Sequence, residues 1–109
     1  MKISEIARKS GLEALNAYED VDVSGVYVSD MASDIVTGAK GGSMLVTLQA
    51  HKNFIAAANV VDAVMVVFAH GKLPAQDVVE LADRVGIALF STPADTWSYA
   101  VKLHELGMR

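Results

Sequence analysis

No cysteine occurs in the 109 residues. That excludes disulfides, thiolate metal sites, iron–sulfur ligation and a cysteine nucleophile. It fits a reducing compartment, and a cytoplasmic location is expected. Proline occurs only twice. No Ser/Gly-rich linker, repeat or low-complexity tract interrupts the chain, so residues 1–109 read as one domain. Long hydrophobic runs are missing too. The longest, Ala63 to Ala69, is too short to cross a bilayer. The opening "MKISEIARKSG" is amphipathic and lacks the apolar centre of a signal peptide. Basic patches are absent: 9 basic residues stand against 13 acidic ones, for a net charge of −4. Only Arg8 and Lys9 are adjacent. Nothing tracks a phosphate backbone, so neither nucleic acid nor membrane is an expected partner.

What is present is a core. Hydrophobic residues make up 52% of the chain and charged residues 20%, which excludes disorder at a length that buries a real interior. Met31, Met44 and Met65 lie in apolar segments and are expected to fill it.

Apolar periods alternate between strand and helix. Ser4 is the expected N-cap of a short helix ended by Gly11. "LEALNAY", from Leu12 to about Ala17, reads as a first strand, and "YEDVDVSGVYV" continues extended through Val26 and Val28. Ser29 or Asp30 then caps a helix with Met31, Ile35 and Ala39 inward. "SMLVTL" is a strand, and His51 or Asn53 opens a helix through Val61. "AVMVVFA" suits a central strand buried on both faces. Pro74 stands near the first turn of a helix ended by Gly86. "IALFS" is the last strand. Thr92 as cap and Pro93 at the first position open the final helix, which Gly107 follows. The order α-β-β-α-β-α-β-α-β-α predicts a three-layer α/β/α domain with a largely parallel sheet of about five strands. Strand order is not readable from it.

In such a sheet, ligands bind beyond the carboxyl ends of the strands, where helix N-termini gather. Four polar groups fall there: Ser29-Asp30, Thr47 to Asn53, His70-Gly71 and Ser91-Thr92. Capping alone accounts for Ser29, Asp30 and Thr92. "TLQAHKN" exceeds what one cap requires. Asp30, Thr47, Gln49, His51, Asn53 and His70 are therefore the candidate ligand-binding residues, with His104 read as surface. No catalytic residue, cofactor or metal is assigned. Asp30, His51 and His70 have no metal-ligand spacing. "GAKGGSM" lacks the lysine and following helix of a phosphate loop. No nucleophile elbow occurs.

"GVYVSDMASDIV", "LVTLQAHKNFIAAA", "AVMVVFAHGKLP" and "IALFSTPADTW" in this order resemble the DRTGG domain family, from about Leu12 to Met108. The name-giving motif stands as Asp22-Val23-Ser24-Gly25-Val26, without its arginine and second glycine. The resemblance implies a fold similar to the N-terminal domain of HPr kinase/phosphorylase, used as a regulatory or dimerising module. It is found fused to phosphotransacetylases and between CBS domains of some pyrophosphatases. Stand-alone members, some encoded beside iron-only hydrogenase genes, have no established role. The family supplies no catalytic residue, and without a phosphate loop a serine-kinase activity is not expected.

The expected function is a non-catalytic regulatory module that binds a small anionic or nucleotide-like ligand. A homodimer is expected as well, because Trp97, Tyr99, Val101 and Leu103 ring the last helix more widely than one buried face needs. One alternative is a scaffold for a redox enzyme such as an iron-only hydrogenase, docking through "YEDVD". Another is a small hydrolase or transferase with His51 as general base oriented by Asp30.

Overall fold

Short apolar strands send neighbouring side chains to opposite faces, so each face needs its own helices. The computed structural model describes every residue from Met1 to Arg109. The elements follow the expected order: α1 (Ile3–Ser10), β1 (Glu13–Ala14), β2 (Val26–Val28), α2 (Ala32–Gly38), β3 (Met44–Thr47), α3 (Lys52–Val60), β4 (Met65–Phe68), α4 (Gln76–Val85), β5 (Ala88–Ser91) and α5 (Thr96–Glu105).

The strands form one sheet in the order β1-β5-β4-β3-β2. β2 to β5 are parallel, and β1 runs antiparallel to β5. Leu45, Val66, Phe68 and Leu89 face α2, α3 and α4 through Ile35, Phe54, Ile55, Val78 and Ala82. Met44, Val46, Met65, Val67 and Phe90 face α1 and α5 through Ile3, Ile6, Tyr99 and Leu103. The three-layer α/β/α architecture follows. The sheet grows in one direction from β2 to β5, so its right-handed crossovers all fall on one face. Only α5, which follows the last strand, joins α1 on the other.

Long-range partners correct several local expectations. The first strand is two residues long because the Asn16 side chain takes over the ladder. Its Oδ1 accepts the Leu89 N–H at 2.8 Å, and its Nδ2 donates to the Ile87 carbonyl and to Asp83. The acidic segment after it pairs with the N-terminus, not the sheet. Ile3 N–H bonds the Val21 carbonyl, and Val23 N–H bonds that of Met1. Ser4 is not the cap of α1; that position is Lys2. Ser4 instead donates its N–H (2.9 Å) and hydroxyl (2.6 Å) to the Asp20 carboxylate, which thereby serves the helix end from outside.

Met31 is the N-cap of α2 and 63% exposed, not core; the Ser29 hydroxyl accepts its N–H. The Asp30 carboxylate is engaged elsewhere. α3 opens after His51, whose side chain makes no capping bond, and Asn53 lies inside its first turn. Pro74 precedes the Ala75 cap of α4. Thr92 does not cap α5 and Pro93 lies outside it. The cap is Asp95, whose carboxylate accepts the Ser98 N–H at 2.7 Å. No helix is long and apolar enough to cross a membrane.

Candidate functional site

The carboxyl ends of β2 to β5 share one edge. A ligand crevice opens there where neighbouring connections leave to opposite faces. In this sheet that point is between β4, which leads to α4, and β5, which leads to α5. Backbone hydrogen bonds close it. His70 N–H donates to the Ala94 carbonyl at 2.9 Å, and Gly71 N–H to that of Thr92 at 2.8 Å. Both residues take left-handed backbone angles, φ 58° and 65°, to reach across. His70 is thus separated from the other candidate residues. It lies near Asp95, whose carboxyl is held below its ordinary range by the Ser98 N–H and hydroxyl, with a smaller effect of His70.

The edge between β2 and β3 is different. Asp30, Ala32, Gln49, His51, Asn53 and Phe54 line an open concavity of about 170 Å³. Its floor is a lock across two strand ends. Thr47, fully buried, donates its hydroxyl to Asp30 Oδ1 at 3.0 Å. Leu48 N–H donates to the same oxygen at 2.8 Å, and Gln49 N–H to the Thr47 hydroxyl at 3.0 Å. One carboxylate and one hydroxyl thereby satisfy the chain as it turns from β3 to α3. Thr47 is an internal strut, out of reach of a bound molecule. Four of the six sequence-predicted residues, Asp30, Gln49, His51 and Asn53, share the concavity.

The N–H groups of Lys52 and Asn53 are free, since the first turn uses only those of Phe54 and Ile55, which bond the His51 carbonyl. The concavity therefore offers a carboxylate, an amide of each polarity, an imidazole and a helix N-terminus. His51 is exposed, and no hydrogen bond joins it to Asp30. The two share the concavity without the direct hydrogen bond that the hydrolase or transferase expectation called for. No group of three His, Asp or Glu side chains is arranged to hold a metal. Every buried side-chain polar atom has a partner.

Three further surfaces lie away from this edge, and the first two escaped the sequence reading. A groove of about 670 Å³ runs between the strap at Leu15–Glu19 and α4. A cleft of about 290 Å³ at the opposite, amino edge of the sheet carries Lys40 and Arg109. Trp97, Ala100, Val101 and His104 line an apolar hollow on α5, with Trp97 77% exposed. The last is the α5 surface on which the homodimer expectation rested, but of the four residues expected there Tyr99 and Leu103 are buried in the core and only Trp97 and Val101 remain outside; the others are assembled from distant segments. In the acidic segment expected to dock a partner, the Asp20 carboxylate is engaged by Ser4, while Asp22 stays exposed 4.0 Å from Lys2.

No family model matches the chain, and neither does any curated protein. Among solved structures, it is similar to the crystal structure of the CBS and DRTGG domains of the regulatory region of Clostridium perfringens pyrophosphatase, complexed with its activator diadenosine tetraphosphate. The TM-score is 0.73 at 18% identity, over 93% of this chain and 45% of that one. The chain spans less than half the length of that neighbour. What the two share is the fold: this arrangement of sheet and helices is found in the regulatory region of an enzyme.

Proposed function

We propose that the chain is a non-catalytic, DRTGG-type regulatory module that senses a nucleotide-like ligand at the β2–β3 carboxyl edge and works as a homodimer. The observation that carries the reading is the convergence of Asp30, Gln49, His51 and Asn53 on one concavity above the Asp30–Thr47 lock. The chemistry of its wall narrows the ligand. Asp30 repels a bare anion but accepts hydrogen bonds from a base amine or sugar hydroxyl. The free amides of α3 suit a phosphate or carboxylate farther along the same molecule. At about 170 Å³ the concavity holds one such moiety, with the rest of the ligand extending over the open edge. The neighbour's fold and its nucleotide activator support this choice.

The homodimer rests on α5. Antiparallel pairing about Ala100 and Val101 sets Trp97 of one copy on Val101 and His104 of the other. It also brings the acidic start of α5, at Asp95, toward the Lys102 and Arg109 end of its mate. Docking on a redox enzyme through the acidic segment has less behind it, since the Asp20 carboxylate is already engaged by Ser4.

A thermal-shift panel of adenine nucleotides, diadenosine tetraphosphate, phosphate and small carboxylates tests the ligand. A ligand at 100 times its Kd stabilises by about 2.7 kcal/mol, which is roughly ten degrees for a domain of this size. A nucleotide shift abolished by Gln49→Ala with His51→Ala is the expected result. A shift that survives the double variant, or none across the nucleotides, overturns the reading.

A further inference from the structure

We propose that the groove between α4 and the strap at Leu15–Glu19 docks an extended protein segment, one whose apolar side chains are flanked by lysine or arginine. The strap is an unpaired edge. β1 leaves the sheet after two residues. The Asn16 side chain then finishes the β5 ladder in its place, on the Leu89 N–H and the Ile87 carbonyl. From Ala17 to Asp20 the chain runs on without turn, bend or strand pairing. None of these four residues gives its N–H or its carbonyl to a main-chain hydrogen bond. A row of such free groups is the template to which an incoming strand pairs.

The edge is also held ready. Asn16 fastens one end to β5, and Ser4 holds the Asp20 carboxylate at the other. Between them the Tyr18 ring packs edge-on against Phe90, with centroids 5.2 Å apart. A strap fixed at three points loses little further freedom when a partner pairs with it. The facing wall is α4, where Val79 and Ala82, with Leu15 and Ile87, make an apolar lining. The volume of about 670 Å³ is that of an ordinary binding groove. Glu19 and Asp83 are the charged groups that line it, with no lysine, arginine or histidine. Neither carboxylate has a cation within 4.0 Å, and Asp83 spends one oxygen on Asn16. Charge therefore selects a basic segment. It also disfavours a second copy of the strap, which would set Glu19 against Glu19 and Asp83. Asp20 takes no part in the docking, and α5, on the other face of the sheet, stays free for its own pairing.

The probe is a heptapeptide of alternating lysine and valine, blocked at both ends and titrated to millimolar concentration against the full chain. Amide exchange and NMR shifts are followed together. The Ala17–Asp20 amides are expected to exchange fast in the free chain. Saturable binding is expected to slow alternate ones among them and to shift Val79–Asp83. The glutamate–valine counterpart is expected not to bind. Methylating the main-chain nitrogens of the probe, which leaves its side chains in place, is expected to weaken binding about tenfold or more. Glu19→Gln with Asp83→Asn, which keeps the acceptor for Asn16, is expected to weaken it about fivefold and to remove most of its salt dependence. No saturable binding, or binding that leaves the strap amides fast, overturns the proposal. Equal binding of lysine amide also overturns it, by identifying a small amine as the ligand. Strap protection that grows with the concentration of the chain alone does so too, by identifying a second copy. The double variant leaves Gln49 and His51 untouched, so this reading and the nucleotide reading fail independently.

Discussion

Asp30 joins two strand ends through a single oxygen, and the loop that carries Gln49 and His51 hangs on that junction. Asp30→Ala leaves the buried Thr47 hydroxyl and the Leu48 N–H without their acceptor. A loss of about 1 to 2 kcal/mol is expected in urea unfolding, with Asp30→Asn, which keeps an acceptor, costing less. The buried phenol of Tyr99 sets a second expectation. The Ser10 hydroxyl lies 2.6 Å from the Ile6 carbonyl and 2.9 Å from the Tyr99 oxygen, so Tyr99 donates to Ser10. Burial pushes the Tyr99 pKa up from 10 to about 12. The unfolded chain then loses this proton first as pH rises. The stability that Tyr99 contributes is complete below pH 10 and lost between pH 10 and about 12, by about 2 to 3 kcal/mol. Melting from pH 8 to 12 is expected to show that loss, and Tyr99→Phe to flatten it.

At the scale of elements, order and type were legible because strand and helix periods are clean here. Helix starts were not. Ser4, Asp30 and Thr92 all look like caps in sequence, yet α1 is served by Asp20 from 16 residues away and the Asp30 carboxylate is spent on Thr47, 17 residues on. A cap is chosen by reach in space, which local sequence does not carry. Asp20 gives this a pH signature. The Ser4 hydroxyl and N–H, in that order, hold its carboxyl below the ordinary 3.8. Stability from this contact is present above that value and disappears as pH falls through the lower folded value. Asp20→Asn is expected to reduce the fall in Tm on acidification below pH 4. α5 makes the remaining prediction at this scale. Val101→Glu puts a charge into the apolar face of Trp97, and sedimentation is expected to show a monomer where the unmodified chain is a dimer. Trp97 emission should shift to the red with it. A wild-type chain that sediments as a monomer at all concentrations contradicts the pairing.

Seen whole, the molecule is a sheet laid down in one direction, and that determines where sites lie. Three crossover helices share a face, so the switch point moves to β4–β5, where the His70 and Thr92 loops bond across it. The polar edge is left to β2 and β3. Placing Gln49, His51 and Asn53 beyond a strand end needed only the alternation of elements. Separating His70 from them needed strand order, and recognising Thr47 as a strut needed its burial. The amino-edge cleft was invisible for the same reason, since the segments at Ser24, Lys40 and Arg109 line it only after folding. Isothermal titration of diadenosine tetraphosphate and of single adenine nucleotides tests the central claim most directly, with the unmodified chain and the Gln49→Ala/His51→Ala variant side by side. The account predicts that at least one nucleotide binds the unmodified chain and that the variant, with its melting temperature unchanged, loses that binding. Equal binding by both proteins, or none by the unmodified chain, would contradict it.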